Sequence, residues 1–331
     1  MGDVAMIVPI VKALSQQHPN LKITVVSRPF FRPLFEEIPN LIFFPFQDDS
    51  KHKGFLGLLR LFSDLKRMKI DAFADLHNVL RSKIVRSLLL LSGYKVAYTD
   101  KGRAAKKKLT RLENKILIPL PTVFERHVAV FSKLGFPIDL AQYKPEPLQK
   151  VEENVLKIIG SKDKILIGIA PFAQYDSKVY PLDLMRQVVQ ELSKNTSVRL
   201  LFFGSRAEVK SLQTLSENIE NAFVVAGQLT FAQELQLIGK LQLMLSMDSG
   251  NAHLSAIYGV KTVTLWGATH PTAGFAPFKQ PLDYCITSDR EKFPFLPTSV
   301  YGNRKVEGYE DAMRTISVTC VVKKVTEMLH L

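Results

Sequence analysis

Two cysteines in 331 residues, Cys285 and Cys320, are too few for a zinc cluster between them. They also fall short of the disulfide framework of a secreted protein, which makes a reducing cytoplasm the expected compartment. No apolar run approaches the ~18 residues of a membrane span. The longest, at 88–91 with its neighbours, is far shorter. The N-terminus lacks the basic-then-apolar layout of a signal peptide. Short-period repeats, low-complexity segments and metal-ligand clusters are missing too. What remains is a chain long enough for two domains at ~150 residues each. Hydrophobic residues make up 46% and charged residues 23%, the balance of a chain that buries real cores.

The net charge of +13 is unevenly spread. Residues 1–150 carry 25 Lys+Arg against 13 Asp+Glu, whereas 151–331 carry 19 against 18. Basic groups gather at 60–69, 81–86 and above all 101–111. Any one cluster is as readily a solvated face. Three in one half favour an anionic partner for that half, whether nucleic acid, an acidic membrane surface or a phosphorylated small substrate.

The second half alternates short apolar runs with helical patterns. Strands are expected at 165–170, 199–203, 222–226, 243–247 and 262–266, with helices at 182–193, 207–218, 231–240 and 252–258. Continuous apolar strands separated by helices imply a parallel sheet covered on both faces. The first half repeats the scheme less cleanly, with strands at 21–26, 41–46, 72–76 and 95–98 and helices at 55–68 and 79–91. Pro-containing residues 143–148 make a linker. The expectation is therefore an α/β chain of two Rossmann-like lobes with a cleft between them, 1–148 and 149–331, the last helix free to pack back on the first lobe. The chain enters a helical pattern directly at Gly2-Asp3-Val4 and runs through Gln17. A Gly-Asp at a helix entrance normally follows a strand, so either this lobe starts with a helix or its first strand is missing.

Three loops at strand ends carry the chemistry. Ser246-Met247-Asp248-Ser249-Gly250-Asn251-Ala252-His253 leaves an apolar strand and opens a helix. Ligands of open parallel sheets bind at that edge, and free N–H groups near Ser249 and Gly250 suit a phosphate. The plain reading, that Asp248 or Ser249 caps the helix, is as good on position alone. Trp266-Gly267-Ala268-Thr269-His270-Pro271 permits close backbone approach. Ala170 to Gln174, leading to Ser177-Lys178-Val179-Tyr180-Pro181, offers a lysine that can reach a diphosphate. A lone surface lysine or a glycine loop signifies little, but three such loops on one edge weigh more.

Taken together, the Lys-x-x-Pro segment at Lys178, the Ser-x-Asp-Ser-Gly-x-x-His segment at Ser246 and the Trp-Gly-x-Thr-x-Pro segment at Trp266 resemble the lipopolysaccharide heptosyltransferases of glycosyltransferase family 9. The resemblance spans nearly the whole chain. It includes Gly2-Asp3-Val4, Asp75-Leu76-His77-Asn78 before Arg81-Ser82, and Asp100-Lys101-Gly102-Arg103. It implies the GT-B architecture, with the acceptor on the first lobe and the nucleotide sugar on the second. It further implies an inverting transfer with no metal or other cofactor, from a nucleotide sugar such as ADP-heptose to an anionic inner-core or lipid A acceptor.

Carried over motif by motif, Asp3 takes the place of the catalytic base. Lys178 would hold the donor phosphates, with Ser249 and Gly250 as further donors, and Asp248 would fix sugar hydroxyls. Thr269 and Gln174 would line the donor site, with His253 bracing its loop. Arg81, Lys101, Arg103, Lys106, Lys107 and Lys108 would face the acceptor. The implied setting is cytoplasmic, peripheral to the inner face of the inner membrane, with no nucleic-acid partner. Two departures stand out. The family's strand before Gly-Asp, ending in an Arg-x-Ser type, is absent, which suggests that Met1 is an internal methionine of a longer chain. Pro171-Phe172-Ala173-Gln174 also replaces a Ser/Thr-rich form. Two other readings share some of these features: a sugar-nucleotide epimerase on the same fold, and a basic nucleic-acid binder.

Overall fold

A computed structural model describes residues 1–161 and 163–331. The chain divides into two compact units, one of residues 3–102 and 123–144, the other of 1–2, 103–122 and 145–331.

The smaller unit begins with a short helix, α1 (Gly2–Ala5), and then α2 (Val8–Gln17), where Pro9 falls in the first turn and needs no N–H partner. Strand β1 (Ile23–Ser27) pairs in parallel with β2 (Leu41–Pro45), and β3 (Ala72–Asp75) with β4 (Lys95–Tyr98). Helix α3 (Gly54–Arg67) buries Leu58, Leu61 and Leu65, a spacing that keeps one apolar stripe. They meet Val85 and Leu89 of α4 (Leu80–Leu91). Among the described residues the two strand pairs remain separate sheets, so the expected single sheet of this half is not continuous.

Helix α5 (Arg103–Thr110) belongs to the larger unit, whereas α6 (Val123–Leu134) returns to the smaller one. A single division at residue 148 therefore does not describe the chain. Residues 103–122 form a strap held by contacts far along the sequence. The Lys106 ammonium lies 4.1 Å from the Phe275 ring centroid and 5.9 Å from that of Tyr301. Lys115 Nζ donates to Pro297 O at 2.7 Å, and Leu120 N donates to Thr272 O at 2.9 Å.

The larger unit continues through α7 (Glu153–Ile159), β5 (Ile165–Ala170), α8 (Leu182–Ser193) and β6 (Val198–Phe202). There follow α9 (Val209–Ser216), β7 (Ala222–Val224), α10 (Phe231–Ile238) and β8 (Leu243–Met247). Helix α11 (Gly250–Ala256), β9 (Lys261–Trp266), β10 (Cys285–Thr287) and α12 (Val318–Leu329) complete it. The strands form one parallel sheet in the order β10-β9-β8-β5-β6-β7.

Alternation along each strand explains the continuous apolar runs. Ile167, Ile169, Leu243, Leu245, Val263 and Leu265 share a core with α8, α9 and α12. On the intervening positions, Thr262 Oγ1 meets Ser255 Oγ of α11 at 2.9 Å. Both faces are thus covered, as a parallel sheet requires. Local signals set the helix starts: Thr230 and Gln233 form a reciprocal capping box on α10, and Ser317 Oγ accepts from Cys320 N on α12. The last helix packs on α8, β8 and β9, within this unit.

The two units bury their strands to different depths. Every residue of β8 is buried, whereas β2 has none buried and β1 only Ile23. Amides of β8 and β9 should therefore exchange with deuterium more slowly than those of β1 and β3. A factor of roughly ten or more, about 1.4 kcal/mol in opening free energy, is expected in native-state exchange. Equal protection would contradict the burial contrast. The strap makes a second expectation. Lys106→Ala should lower stability by about 1–2 kcal/mol in a denaturant melt, since a desolvated cation–π contact is lost. Lys107→Ala, at an exposed position, should stay within about 0.5 kcal/mol.

Candidate active site

Strand order fixes where the site lies in the larger unit. From β5 the chain steps outward through β6 and β7 on one side, and through β8, β9 and β10 on the other. The sheet therefore changes direction between β5 and β8, and ligands of such sheets bind outside the carboxyl ends of the strands at that point. The loop after β5 carries Lys178, and Asp248 directly follows β8.

These two side chains meet. Lys178 Nζ lies 2.8 Å from Asp248 Oδ2, with both side chains nearly buried. Thr269 Oγ1, in the loop after β9, donates to the same oxygen at 2.9 Å. The ammonium has three N–H groups, and Asp248 is its one recorded partner among the described residues. Two donors thus stay available to an incoming anion, and Asp248 Oδ1 stays open to a hydroxyl.

The loops around the pair are tied together through their backbones. Ala268 N donates to Ser177 O at 3.0 Å, and Thr298 N and Ser299 N both donate to Ala268 O. Ser177 Oγ donates to Gly302 O at 2.7 Å. Glycine makes this approach possible. A Cβ at Gly267 would lie 2.5 Å from Ser177 O, and one at Gly302, where φ is +88°, would lie 2.5 Å from Lys178 Cδ. Ser249 precedes α11 without capping it; its Oγ lies 3.0 Å from Ser246 Oγ instead. Gly250 opens the first turn beside it, and His253 is buried on the same helix. Gln174 is exposed and has no side-chain hydrogen bond among the described residues, so it does not join the group.

In the smaller unit Asp3 is exposed, and its carboxylate lies 4.0 Å from His77 Nε2. His77 is held there by a locked turn. Asp75 accepts from the backbone N–H groups of His77 and Asn78, pairs with Arg86 at 3.1 Å, and is itself buried. Asn78 takes a left-handed φ of 45° and donates to Thr99 O. Burial pulls the His77 pKa down, against the opposing pull of Asp3. The motif Asp75-Leu76-His77-Asn78 was visible in the sequence, but the pairing of His77 with Asp3 was not.

The six cations expected to face an acceptor are divided between the two units. Arg81 lies in the smaller unit, paired with Asp48 at 2.9 Å, and Lys101 is in that unit too. Arg103, Lys106, Lys107 and Lys108 belong to the larger one. Of these, Arg103, Lys107 and Lys108 are exposed. Lys106 is buried against aromatic rings, so its charge is turned inward.

Comparison with known proteins identifies the family. The model of "Glycosyltransferase family 9 (heptosyltransferase)" matches residues 58–296. The lipopolysaccharide core heptosyltransferase OpsX of Haemophilus influenzae is 23% identical over 277 residues, covering 82% of this chain and 77% of its own. The crystal structure of a family 9 glycosyl transferase from Veillonella parvula superposes with a TM-score of 0.76 at 20% identity, over 99% of this chain and 94% of that one. The E. coli ADP-heptose LPS heptosyltransferase II gives 0.66 at 18% identity, over 99% and 96%. The fold is therefore of the GT-B class, with two Rossmann-like lobes, and the chain belongs to glycosyltransferase family 9, the heptosyltransferase family.

Proposed function

We propose that this glycosyltransferase moves heptose from ADP-heptose to an anionic inner-core or lipid A acceptor of lipopolysaccharide, with inversion and without a metal. The observation that carries the reading is the Lys178–Asp248–Thr269 group at the sheet's change of direction. Relatives named for lipopolysaccharide heptose transfer support the sugar and the acceptor class.

The chemistry follows from the charges. As the acceptor oxygen bonds to the anomeric carbon, the bond from that carbon to the phosphate oxygen breaks, and ADP departs with the electron pair. Lys178 stabilises the growing negative charge, and its orientation is set beforehand by Asp248. Asp248 accepts a hydroxyl of the sugar through Oδ1. Ser249 and Gly250 offer further donors to the diphosphate, and Thr269 lines the pocket. Asp3 accepts the proton of the acceptor hydroxyl. Arg81, Lys101, Arg103, Lys107 and Lys108 attract the phosphorylated acceptor through a screened field.

The proposed setting is the cytoplasmic face of the inner membrane. Among the described residues no helix is long and apolar enough to cross a membrane. Exposed Phe55 and Leu56 at the start of α3, and Leu90 and Leu91 at the end of α4, support a peripheral contact with lipid.

Lys178→Ala should weaken ADP binding by about 1.5–3 kcal/mol in a calorimetric titration, the scale of a charge-assisted hydrogen bond. It should also destabilise the fold, because a buried carboxylate is left without its partner. Adding Asp248→Asn should restore much of that stability and none of the ADP affinity. Unchanged ADP affinity in the single variant would remove Lys178 from the site. Asp3→Asn should reduce transfer from ADP-heptose by roughly 10²–10⁴-fold, the usual contribution of a general base. ADP affinity should stay within twofold. Wild-type turnover in that variant would exclude Asp3 as the base.

A further inference from the structure

The cations of this chain that lie against protein mostly find carboxylates. Lys178 has Asp248, Arg86 has Asp75, and Arg28 and Arg81 share Asp48. Among the described residues Lys115 finds none, and neither does Lys261, whose Nζ donates to Met328 O, while Lys106 lies on aromatic rings. Lys115 differs from these two in having other cations beside it. It is half-buried in the strap, yet its Nζ donates only to carbonyls, Leu109 O at 3.1 Å and Pro297 O at 2.7 Å. Arg290 Nε donates to Leu296 O, the carbonyl next in the chain, at 3.2 Å. The two cations are thus moored to successive carbonyls of one loop.

The charged groups that bear on Lys115 are Arg290 and Arg304, and both are positive. Burial first, then these two guanidinium groups, lower its pKa to about 8. Among the described residues none of the three has a carboxylate within salt-bridge distance. His270 stands near the same arginine, and its Nδ1 accepts from Thr272 N at 3.3 Å. Burial, aided by Arg290, brings His270 to a pKa of about 4, so its ring is neutral with the proton on Nε2. That N–H has no partner among the described residues.

Unused donors remain on each member. Among the described residues Lys115 commits two of its three N–H groups, Arg290 only its Nε, and exposed Arg304 none. Protein contacts hold Lys115 and Arg290 to adjoining carbonyls, and Arg304 adds a third charge of the same sign. Like charges so placed, with no counter-charge among the described residues, favour an anion. The loop that moors them continues to Gly302, which touches Lys178.

We propose that Lys115, Arg290 and Arg304, with the His270 Nε2–H as a neutral donor, form a second anion site, separate from Lys178, for a phosphate monoester. A planar guanidinium beside an ammonium suits the three oxygens of such a group. The phosphate is one carried by the acceptor, an assignment that rests on the transfer reading. The site itself does not rest on it. This site moves one acceptor contact from the run of lysines at 106–108 to a cluster drawn from both ends of the larger unit.

The test is calorimetric titration of the full chain with inorganic phosphate and with glucose 6-phosphate, each on free and on ADP-saturated protein. Phosphate should still bind to the ADP-saturated protein, in which Lys178 is occupied, since ADP takes a different site. Arg290→Gln with Arg304→Gln should weaken binding of both probes by roughly tenfold or more, with ADP affinity within twofold. Lys178→Ala should do the reverse. Arg304→Gln alone, at an exposed position that no fold contact uses, should show the same direction in a protein with wild-type melting. Unchanged phosphate affinity in the ADP-saturated double variant, or loss of all phosphate binding on saturation with ADP, would overturn the site. Glucose 6-phosphate binding more tightly than inorganic phosphate supports an acceptor group, and the opposite order overturns that assignment. Failure of ADP to bind would count against the transfer reading while leaving the phosphate titration of the free chain decisive.

Discussion

Burying an ammonium group costs free energy unless a counter-charge and further hydrogen bonds are supplied, and in the larger unit that requirement joins three separate loops. Lys178 comes from the loop after β5, Asp248 from the end of β8 and Thr269 from the loop after β9. They can meet because β5, β8 and β9 are adjacent and parallel, which puts all three carboxyl ends on one edge. Gly267 and Gly302 then allow the backbones to close around the pair. The sheet's core, with Ile167, Leu245 and Val263 wholly buried, holds that edge rigid. Charge placed in this way reorganises little when a phosphate arrives, the condition under which fixed charges are most effective.

Besides exposed Arg103, Lys107 and Lys108, the cations of the first 150 residues include three physical states. Arg86 pairs with Asp75, and Arg28 and Arg81 share the single carboxylate of Asp48, which leaves that group net positive. Lys106 is turned onto Phe275 and Tyr301. Lys115 is held beside Arg290 and Arg304, which belong to the charge-balanced part of the sequence. A count of charge along the sequence merges these states, because the partners lie 11 to 195 positions away in the chain. Arg81 and Lys106 therefore differ in what they can do, although both sit in basic runs.

Much of the larger unit was legible because a strand buried on both faces reads as an unbroken apolar run. The runs at 165–170 and 243–247 coincide with β5 and β8, and 262–266 with β9 to within a residue. The loops bearing Lys178, Asp248 and Thr269 were legible for the same reason, since each follows such a run. Strand β10 was not legible: three half-buried residues, Cys285–Thr287, carry too little pattern. Nor was the strap. Its attachment depends on Phe275, Pro297 and Thr272, and nothing local in Arg103–Thr110 marks them as partners. The exposed position of Gln174 and the approach of His77 to Asp3 depend likewise on loop paths that composition does not encode.

The contrast in burial between the units matches the division of labour that transfer requires. Stabilising a departing diphosphate needs charges fixed to within a fraction of an ångström before the reaction, and Lys178 and Asp248 follow β5, buried in all but its first residue, and the fully buried β8. Accepting a proton needs a carboxylate within hydrogen-bond reach only once the acceptor is bound. Asp3 meets that looser requirement: it lies on a four-residue helix, exposed, with His77 at 4.0 Å. The half-buried pairs β1–β2 and β3–β4 beside it carry fewer packing contacts to hold any one arrangement. On the transfer reading, the rigid sheet holds the group whose charge changes most. The softer unit adapts to a large acceptor, and Asp75 with Arg86 and Asn78 keeps the turn that bears His77 in place.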